Sequence, residues 1–366
     1  MTAEGERRAG LRGEPQGQLA PEVPATLAGL VARYSPTGAV AEAVDWLVAR
    51  MGALGFTRAF VDEAGNAVGV MGAGPRQAVL LGHIDTVPGE PAVRVADGRL
   101  YGRGAVDAKG PLAAFVDAVA AAGAPAGWQL IVIGACDEEG GSRGARHVAG
   151  RYRPEWALIG EPSGWDRVTL GYRGSLWAEV AVERPLSHTA SGEESACEAA
   201  VTLWNQLAAA CAARNAGQAR VFDQLSATLR GLHSQSDGLT ERAALRVGLR
   251  LPEGLAPAEC RVWLEGLAGD GVVALEDEPL PAYRAPKNTR LVRALLAAIR
   301  AQGGTPGFSV KSGTSDLNVV GPVWGCPLAA YGPGDARLDH TPDEHLVLAD
   351  YERAVAVLGS VLRAAG

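Results

Sequence analysis

The chain has 366 residues, 47% of them hydrophobic and 20% charged, which suits a globular protein with room for two domains and a sizeable core. Its net charge of −7 argues against a general nucleic-acid binder, which needs a basic surface. No run approaches the roughly 20 apolar residues that span a bilayer. Met1 to Ala20 lacks the apolar segment of a signal peptide, so residues 1–22 read as a disordered N-terminal extension and the location as cytoplasmic.

From Pro24 to Leu54 apolar residues recur at helical spacing: Leu27, Leu30 and Val31, then Val40, Val44, Leu47 and Val48. The break at Ser35-Pro36-Thr37-Gly38 predicts two helices. Short apolar runs typical of buried strands follow at Ala67–Met71, Ala78–Leu81, Gln129–Ile133 and Trp156–Ile159. An Ala-rich helix, Pro111 to Ala122, lies between the second and third. This alternation indicates an α/β fold with a mixed, largely parallel sheet flanked by helices.

Near Val168 the texture changes. Strands are predicted at Val168–Val182, Ala219–Leu229, Ala243–Leu251 and Val272–Leu275, with helices at Glu193–Arg214 and Pro257–Leu267. Residues 168–281 therefore read as an inserted α+β domain. Residues 23–167 and 282–366 form the two parts of one catalytic domain, resuming with Thr289–Gln302, Leu328–Ala330 and Leu348–Arg363. The five cysteines, Cys136, Cys197, Cys211, Cys260 and Cys326, form no CxxC pair, which excludes a zinc ribbon and argues against a disulfide framework.

Acidic and imidazole residues gather at the C-terminal ends of the buried strands, where open α/β sheets place their sites. Leu80-Leu81-Gly82 leads to His83 and Asp85, and Gly102-Arg103-Gly104-Ala105-Val106 to Asp107 before a helix. Ile131-Val132-Ile133-Gly134 leads to Asp137, Glu138 and Glu139, and Leu158-Ile159-Gly160 to Glu161; Leu338-Asp339-His340-Thr341-Pro342 adds a distant His. Singly, each has an ordinary structural explanation: a turn carboxylate, or an N-cap for Asp107. Together, several carboxylates in one crevice repel unless cations neutralise them. Two His with three carboxylates suit zinc or its neighbours in a hydrolytic two-metal site. No Gly-x-Ser-x-Gly elbow supports a serine hydrolase.

Three segments carry a resemblance: Gly82-His83-Ile84-Asp85-Thr86-Val87-Pro88, Gly102 to Gly110, and Asp137-Glu138-Glu139-Gly140-Gly141. With Gly160-Glu161-Pro162 and His340-Thr341-Pro342, they resemble the zinc aminoacylase and carboxypeptidase family, which includes acetylornithine deacetylase and succinyl-diaminopimelate desuccinylase. The resemblance implies two zinc ions per subunit, with cobalt as a possible substitute. Asp107 would bridge them, His83 and Glu161 would complete one site, and Glu139 and His340 the other. Asp85 would orient the His83 imidazole through its second nitrogen. Glu138 would be the general base, taking a proton from water and returning it to the leaving amine. The Asp107-Ala108 peptide would be cis.

The insert resembles the family's dimerisation lid. His188, in Pro185-Leu186-Ser187-His188-Thr189-Ala190, matches the His that reaches the partner subunit's site and stabilises the oxyanion; a homodimer or higher oligomer follows. Arg250 matches the Arg that holds a substrate carboxylate. Ser236-Asp237-Gly238-Leu239 departs from the family's Asn-x-Ile-Pro, so the lid's recognition of substrate is expected to differ. Gly313, Thr314 and Ser315 belong to a family-wide Gly-Thr-Ser-Asp core, expected to form a substrate-facing loop. Lys311 and Asn318 around it resemble one branch, the hydrolases that release lysine or ornithine from the C-terminal glutamate of a small acidic amino-group carrier protein in lysine and arginine biosynthesis. Lys311 would sit near a carboxylate of that glutamate. Two alternatives stay open: an N-acetylornithine or other N-acyl amino-acid deacylase, and an inactive metal-binding relative.

Overall fold

A computed structural model describes residues 23–364; the expected extension at residues 1–22 lies outside them. Helices α1 (Ala25–Val31) and α2 (Ala41–Ala53) precede strands β1 (Arg58–Val61), β2 (Ala67–Met71) and β3 (Arg76–His83). Next come the hairpin β4 (Arg94–Ala96) and β5 (Arg99–Tyr101), then α3 (Lys109–Ala122), β6 (Trp128–Ala135), α4 (Arg143–Arg151), β7 (Trp156–Gly160) and β8 (Arg167–Tyr172). A second group comprises β9 (Gly174–Pro185), α5 (Ala196–Arg214), β10 (Ser226–Ser236), β11 (Thr240–Leu251), α6 (Pro257–Ala268) and β12 (Val272–Leu275). The chain closes with β13 (Tyr283–Arg284), α7 (Arg290–Ala301), β14 (Gly307–Lys311), α8 (Asp316–Trp324), β15 (Leu328–Ala330), β16 (His345–Val347) and α9 (Leu348–Ala364).

The fold is mixed α/β, with a largely parallel central sheet. Nine strands form it in the order β1-β2-β6-β3-β7-β15-β8-β13, with β14 also on β8. The central pairs β6–β3, β3–β7 and β7–β15 are parallel. Such strands are covered on both faces and read as continuous apolar runs: Ala78 to Leu81 and Leu130 to Ile133 are all essentially inaccessible. One core layer, with Leu80, Val132 and Leu158, packs on α1, α2, α3, α7 and α9; the other, with Leu81, Ile133 and Ile159, packs on α4 and α8. A separate four-stranded antiparallel sheet, β10-β11-β9-β12, buries Leu176, Val180, Leu245 and Leu249 beneath α5 and α6.

Two expectations need correction. Val168–Val182 is two strands: β8 stays in the large sheet, and the second sheet begins at Gly174. The strand expected at Ala219–Leu229 starts only at Ser226, because Val221–Asp223 forms a 3-10 turn. Ser236 to Leu239 is the tip of the β10–β11 hairpin, where Asp237 Oδ1 accepts from the amides of Leu239 and Thr240. All five cysteines are free. Among the described residues no helix is long and apolar enough to cross a membrane.

Candidate metal centre

Strand register assembles the site. In the parallel triplet, His83 of β3 lies level with Ala135 of β6, and Gly82 level with Gly160 of β7. The residues after these ends, Asp137 to Glu139 and Glu161, therefore emerge beside His83. Asp107 comes from the loop before α3, and its peptide bond to Ala108 is cis, as the resemblance implied. Asp137, Ser142 and His340 all take positive φ. Non-glycine residues hold that conformation at a cost, and such residues cluster at functional sites.

Asp107 has one oxygen toward each imidazole. Its Oδ1 is 3.2 Å from His83 Nε2, and its Oδ2 is 3.0 Å from His340 Nε2. His340 Nε2 is also 2.9 Å from Glu139 Oε1, so Asp107, Glu139 and His340 bring donor atoms within 4.8 Å of one another. Glu138 Oε2 lies 3.9 Å from His83 Nε2, and Glu161 Oε2 accepts from the Tyr172 hydroxyl at 3.4 Å. All seven residues expected at the centre converge here. Asp85 is the seventh, and its role needs correction: His83 Nδ1 is 2.9 Å from the Asp85 backbone carbonyl but 3.8 Å from its carboxylate. That buried carboxylate accepts instead from the amides of Glu138 (3.0 Å) and Glu139 (3.2 Å) and from the Thr37 hydroxyl (2.7 Å). Asp85 thus fixes the backbone of the Glu pair, while its carbonyl orients the imidazole.

The packed carboxylates and imidazoles shift one another's protonation. Burial, then the negative charge of Asp107, pushes Glu161 up to about 8. Burial also raises Glu138 well above a normal carboxyl, with Glu161, Asp316 and Glu139 adding to it. Donating hydrogen bonds to the Asp107 and Glu139 carboxylates lifts His340 to about 10. Burial opposes charge on His83, but Glu138 and Asp107 overcome it and hold its pKa well above the usual value. Protons here stand where a divalent cation would do the same work. Two imidazole nitrogens and carboxylate oxygens are a donor set that fits zinc-class ions.

Two further residues hold the centre and escaped the sequence reading. Glu344 is buried; its Oε1 accepts from the amides of Val106 (3.0 Å) and Asp107 (3.1 Å), and its Oε2 from Arg103 Nη1 at 2.7 Å. Arg103 also donates to the carbonyls of Gly89 and Thr341. The pair ties the Asp107 loop to the His340 loop. The only sequence signal is that Arg103 lies inside the segment that carries Asp107, and Glu344 two residues beyond the one that carries His340.

Beside the cluster opens a cavity of about 720 Å³, walled by Asp107, Glu138, Glu139, Glu161 and His340 on one side and by lid residues including Arg250 on another. Lys311, Gly313 and Thr314 line it as expected, and Arg250 Nη1 donates to the Thr314 hydroxyl at 3.2 Å. Lys311 Nζ donates to the Pro162 carbonyl at 2.7 Å, next to Glu161. Ser315 does not face the cavity: it is buried as the N-cap of α8, its hydroxyl accepting from the Leu317 amide. Asn318 is buried too, its amide donating to the carbonyls of Arg173 and Pro281, the two crossings between the sheets. The expected loop is thus half helix. His188 is exposed on the lid and is not part of the cavity wall among the described residues. His147, His233 and His345 also lie outside the cavity wall.

Comparison with known proteins agrees with this geometry. Residues 79–364 match the sequence profile of peptidase family M20/M25/M40. The [LysW]-lysine hydrolase of Deinococcus radiodurans is 50% identical over 326 residues, covering 87% of this chain and 89% of the relative. Among solved structures, an M20 family metallo-carboxypeptidase from Sulfolobus solfataricus superposes with a TM-score of 0.75 at 16% identity, covering 92% of this chain and 98% of the other. A Staphylococcus aureus tripeptidase does so with 0.74 at 20% identity, covering 93% and 96%.

Proposed function

Because the chain belongs to peptidase family M20/M25/M40 and is a metal-dependent amide hydrolase, we propose that it releases lysine or ornithine from the C-terminal glutamate of an amino-group carrier protein. The observation that carries this reading is the 50% identity to a [LysW]-lysine hydrolase across 87% of the chain. The cavity supports it: at about 720 Å³ it is of a size that takes drug-sized ligands, more than an N-acetylated amino acid fills. The step would supply free amino acid to lysine or arginine biosynthesis, in the cytoplasm.

In this reading Asp107 would be shared by two zinc ions, with His83 and Glu161 completing one site and Glu139 and His340 the other; cobalt is an alternative ion. Bound divalent cations would acidify water and polarise the amide carbonyl. Glu138 lies within 4 Å of His83 but is left free of the ligand set; it takes the proton from the attacking water and delivers it to the leaving amine. Arg250, stationed by Thr314, receives the carboxylate of the leaving amino acid. His188 lies outside its own cavity wall; in a homodimer it would serve the partner's site as the oxyanion donor that the resemblance implies.

The test is kcat/KM for carrier-linked lysine and carrier-linked ornithine against N-acetyl-lysine and N-acetylornithine. The carrier conjugates should be preferred. A faster reaction with N-acetylornithine would make the enzyme an N-acyl amino-acid deacylase with the same metal centre.

A further inference from the structure

The open face of the lid sheet carries a pattern that this reaction leaves unused. Side chains alternate along β9 and β11. Leu176, Ala178, Val180, Leu245, Val247 and Leu249 are buried beneath α5 and α6. Ser175, Trp177, Arg246, Gly248 and Arg250 therefore emerge on the other face, where Ser175, Trp177, Arg246 and Arg250 line the cavity. Trp177 sits opposite Gly248 across the strands. A Cβ at position 248 would stand only 2.8 Å from the indole, so glycine there is what allows the ring to lie on the sheet, between the two arginines.

Arg246 is held in place. Its guanidinium carbon lies 4.8 Å from the Trp177 ring centroid. Glu276 takes its Nε and Nη2 edge at 2.7 and 2.8 Å, and Nη1 makes no hydrogen bond among the described residues. A guanidinium fixed by a stack and a clamp loses little freedom when it binds. Asp277 and Glu278 also line the cavity here; Glu278 is paired with Arg146 at 2.8 Å, and Asp277 is solvent-exposed, so its repulsion is largely screened.

We infer that Arg246 and Trp177 form a second anion subsite, which takes the free carboxylate of the acyl group while Arg250 takes that of the leaving amino acid. This rests on the substrate reading above: a glutamyl amide of an amino acid carries one carboxylate on each side of the scissile bond, whichever glutamate carboxyl forms the amide. The spacing agrees. Arg250 stands four residues along β11 from Arg246, which puts their Cα atoms roughly 13 Å apart. Two residues of extended substrate span about 7 Å, and a charge-assisted hydrogen bond at each end adds about 3 Å. Lys311 is the competing cation, but its ammonium is drawn to the Pro162 carbonyl beside Glu161.

The probe is a short peptide ending in glutamate joined to lysine, compared with the same peptide whose free glutamate carboxyl is a primary amide. A lysinamide version tests the other end. Wild type should favour the acid over the glutamate amide by about 10- to 100-fold in kcat/KM, the usual worth of a hydrogen bond to a charged group. Arg246→Gln should bring that ratio close to one and keep the preference for lysine over lysinamide. Arg250→Gln should do the reverse, and Arg246→Lys should give an intermediate ratio. An unchanged acid preference in Arg246→Gln overturns the subsite. So does its collapse in Lys311→Met alone, or an equal fall of both ratios in Arg246→Gln, which marks a general lid disturbance. If wild type cleaves neither peptide yet cleaves N-acetylornithine, the substrate reading fails and the subsite with it.

Discussion

Glu344→Ala is the substitution whose cost the structure lets us work out most fully. The side chain is 1% exposed and its partner Arg103 8% exposed. Truncation strands a buried guanidinium and removes the acceptor of two loop amides, Val106 and Asp107. Breaking a buried pair at one end costs about 3–5 kcal/mol, a large part of the roughly 5–15 kcal/mol that holds a domain folded. Urea unfolding of chelated protein measures this without the added stability of bound metal. Because the stranded charge dominates, the double variant Arg103→Met with Glu344→Ala should be more stable than Glu344→Ala alone. The same variant should also bind metal at least 10-fold more weakly, since Glu344 anchors the Asp107 backbone. A loss below about 1 kcal/mol, or a double variant as costly as the sum of the two single ones, would refute the reasoning.

Three other outcomes follow from the site. His340→Ala should bind about one metal fewer per chain, whereas Glu138→Gln should keep its metal and lose nearly all turnover; near-normal kcat in Glu138→Gln would remove it as the base. Metal-free protein should lose stability as pH rises from about 5 to 8. Burial raises Glu161 to about 8 and Asp316 to about 7 from ordinary values of 4.5 and 3.8; their contribution is complete below the ordinary values and lost as pH passes the raised ones. Asp107, held low by the two imidazoles, acts only below its ordinary value, outside that window. Melting temperatures that climb from pH 5 to 8 in chelator would contradict this. His188→Ala mixed with Glu138→Gln should regain part of the lost activity after subunit exchange, because one heterodimer site escapes both lesions; no recovery would remove His188 from the partner's site.

The buried parallel strands were legible because a strand covered on both faces has to be apolar throughout: β3, β6 and β7 contain the runs read from the chain at Ala78–Leu81, Gln129–Ile133 and Trp156–Ile159. The meeting of His83, Glu138, Glu139 and Glu161 was legible for a related reason, since parallel strands bring their following residues to one edge. Elements lacking a clear apolar stripe were missed. Helix α4 is Arg-rich and buries only Gly144, Ala145, Val148 and Ala149. Helix α8 is buried on most sides and holds Pro322, so it lacks amphipathic spacing. The far half of β10 is an exposed polar edge, Leu232 to Ser236, with no alternation to find. The contacts of Glu344 with Arg103 and Asp107 cross more than 230 residues of chain, and the turn of the Asp85 carboxylate toward the Glu138 and Glu139 amides depends on backbone direction. Neither leaves a periodic trace.

The carboxylate–imidazole cluster around Asp107 is proposed to be a two-cation hydrolytic centre. The most direct measurement is amide hydrolysis by chelated protein titrated with zinc, with bound metal counted at each point. Activity should be lost on chelation and return to a plateau at about two equivalents per chain. Chelated, metal-free protein that turned over at the full rate would mean that the cluster does not work through bound cations.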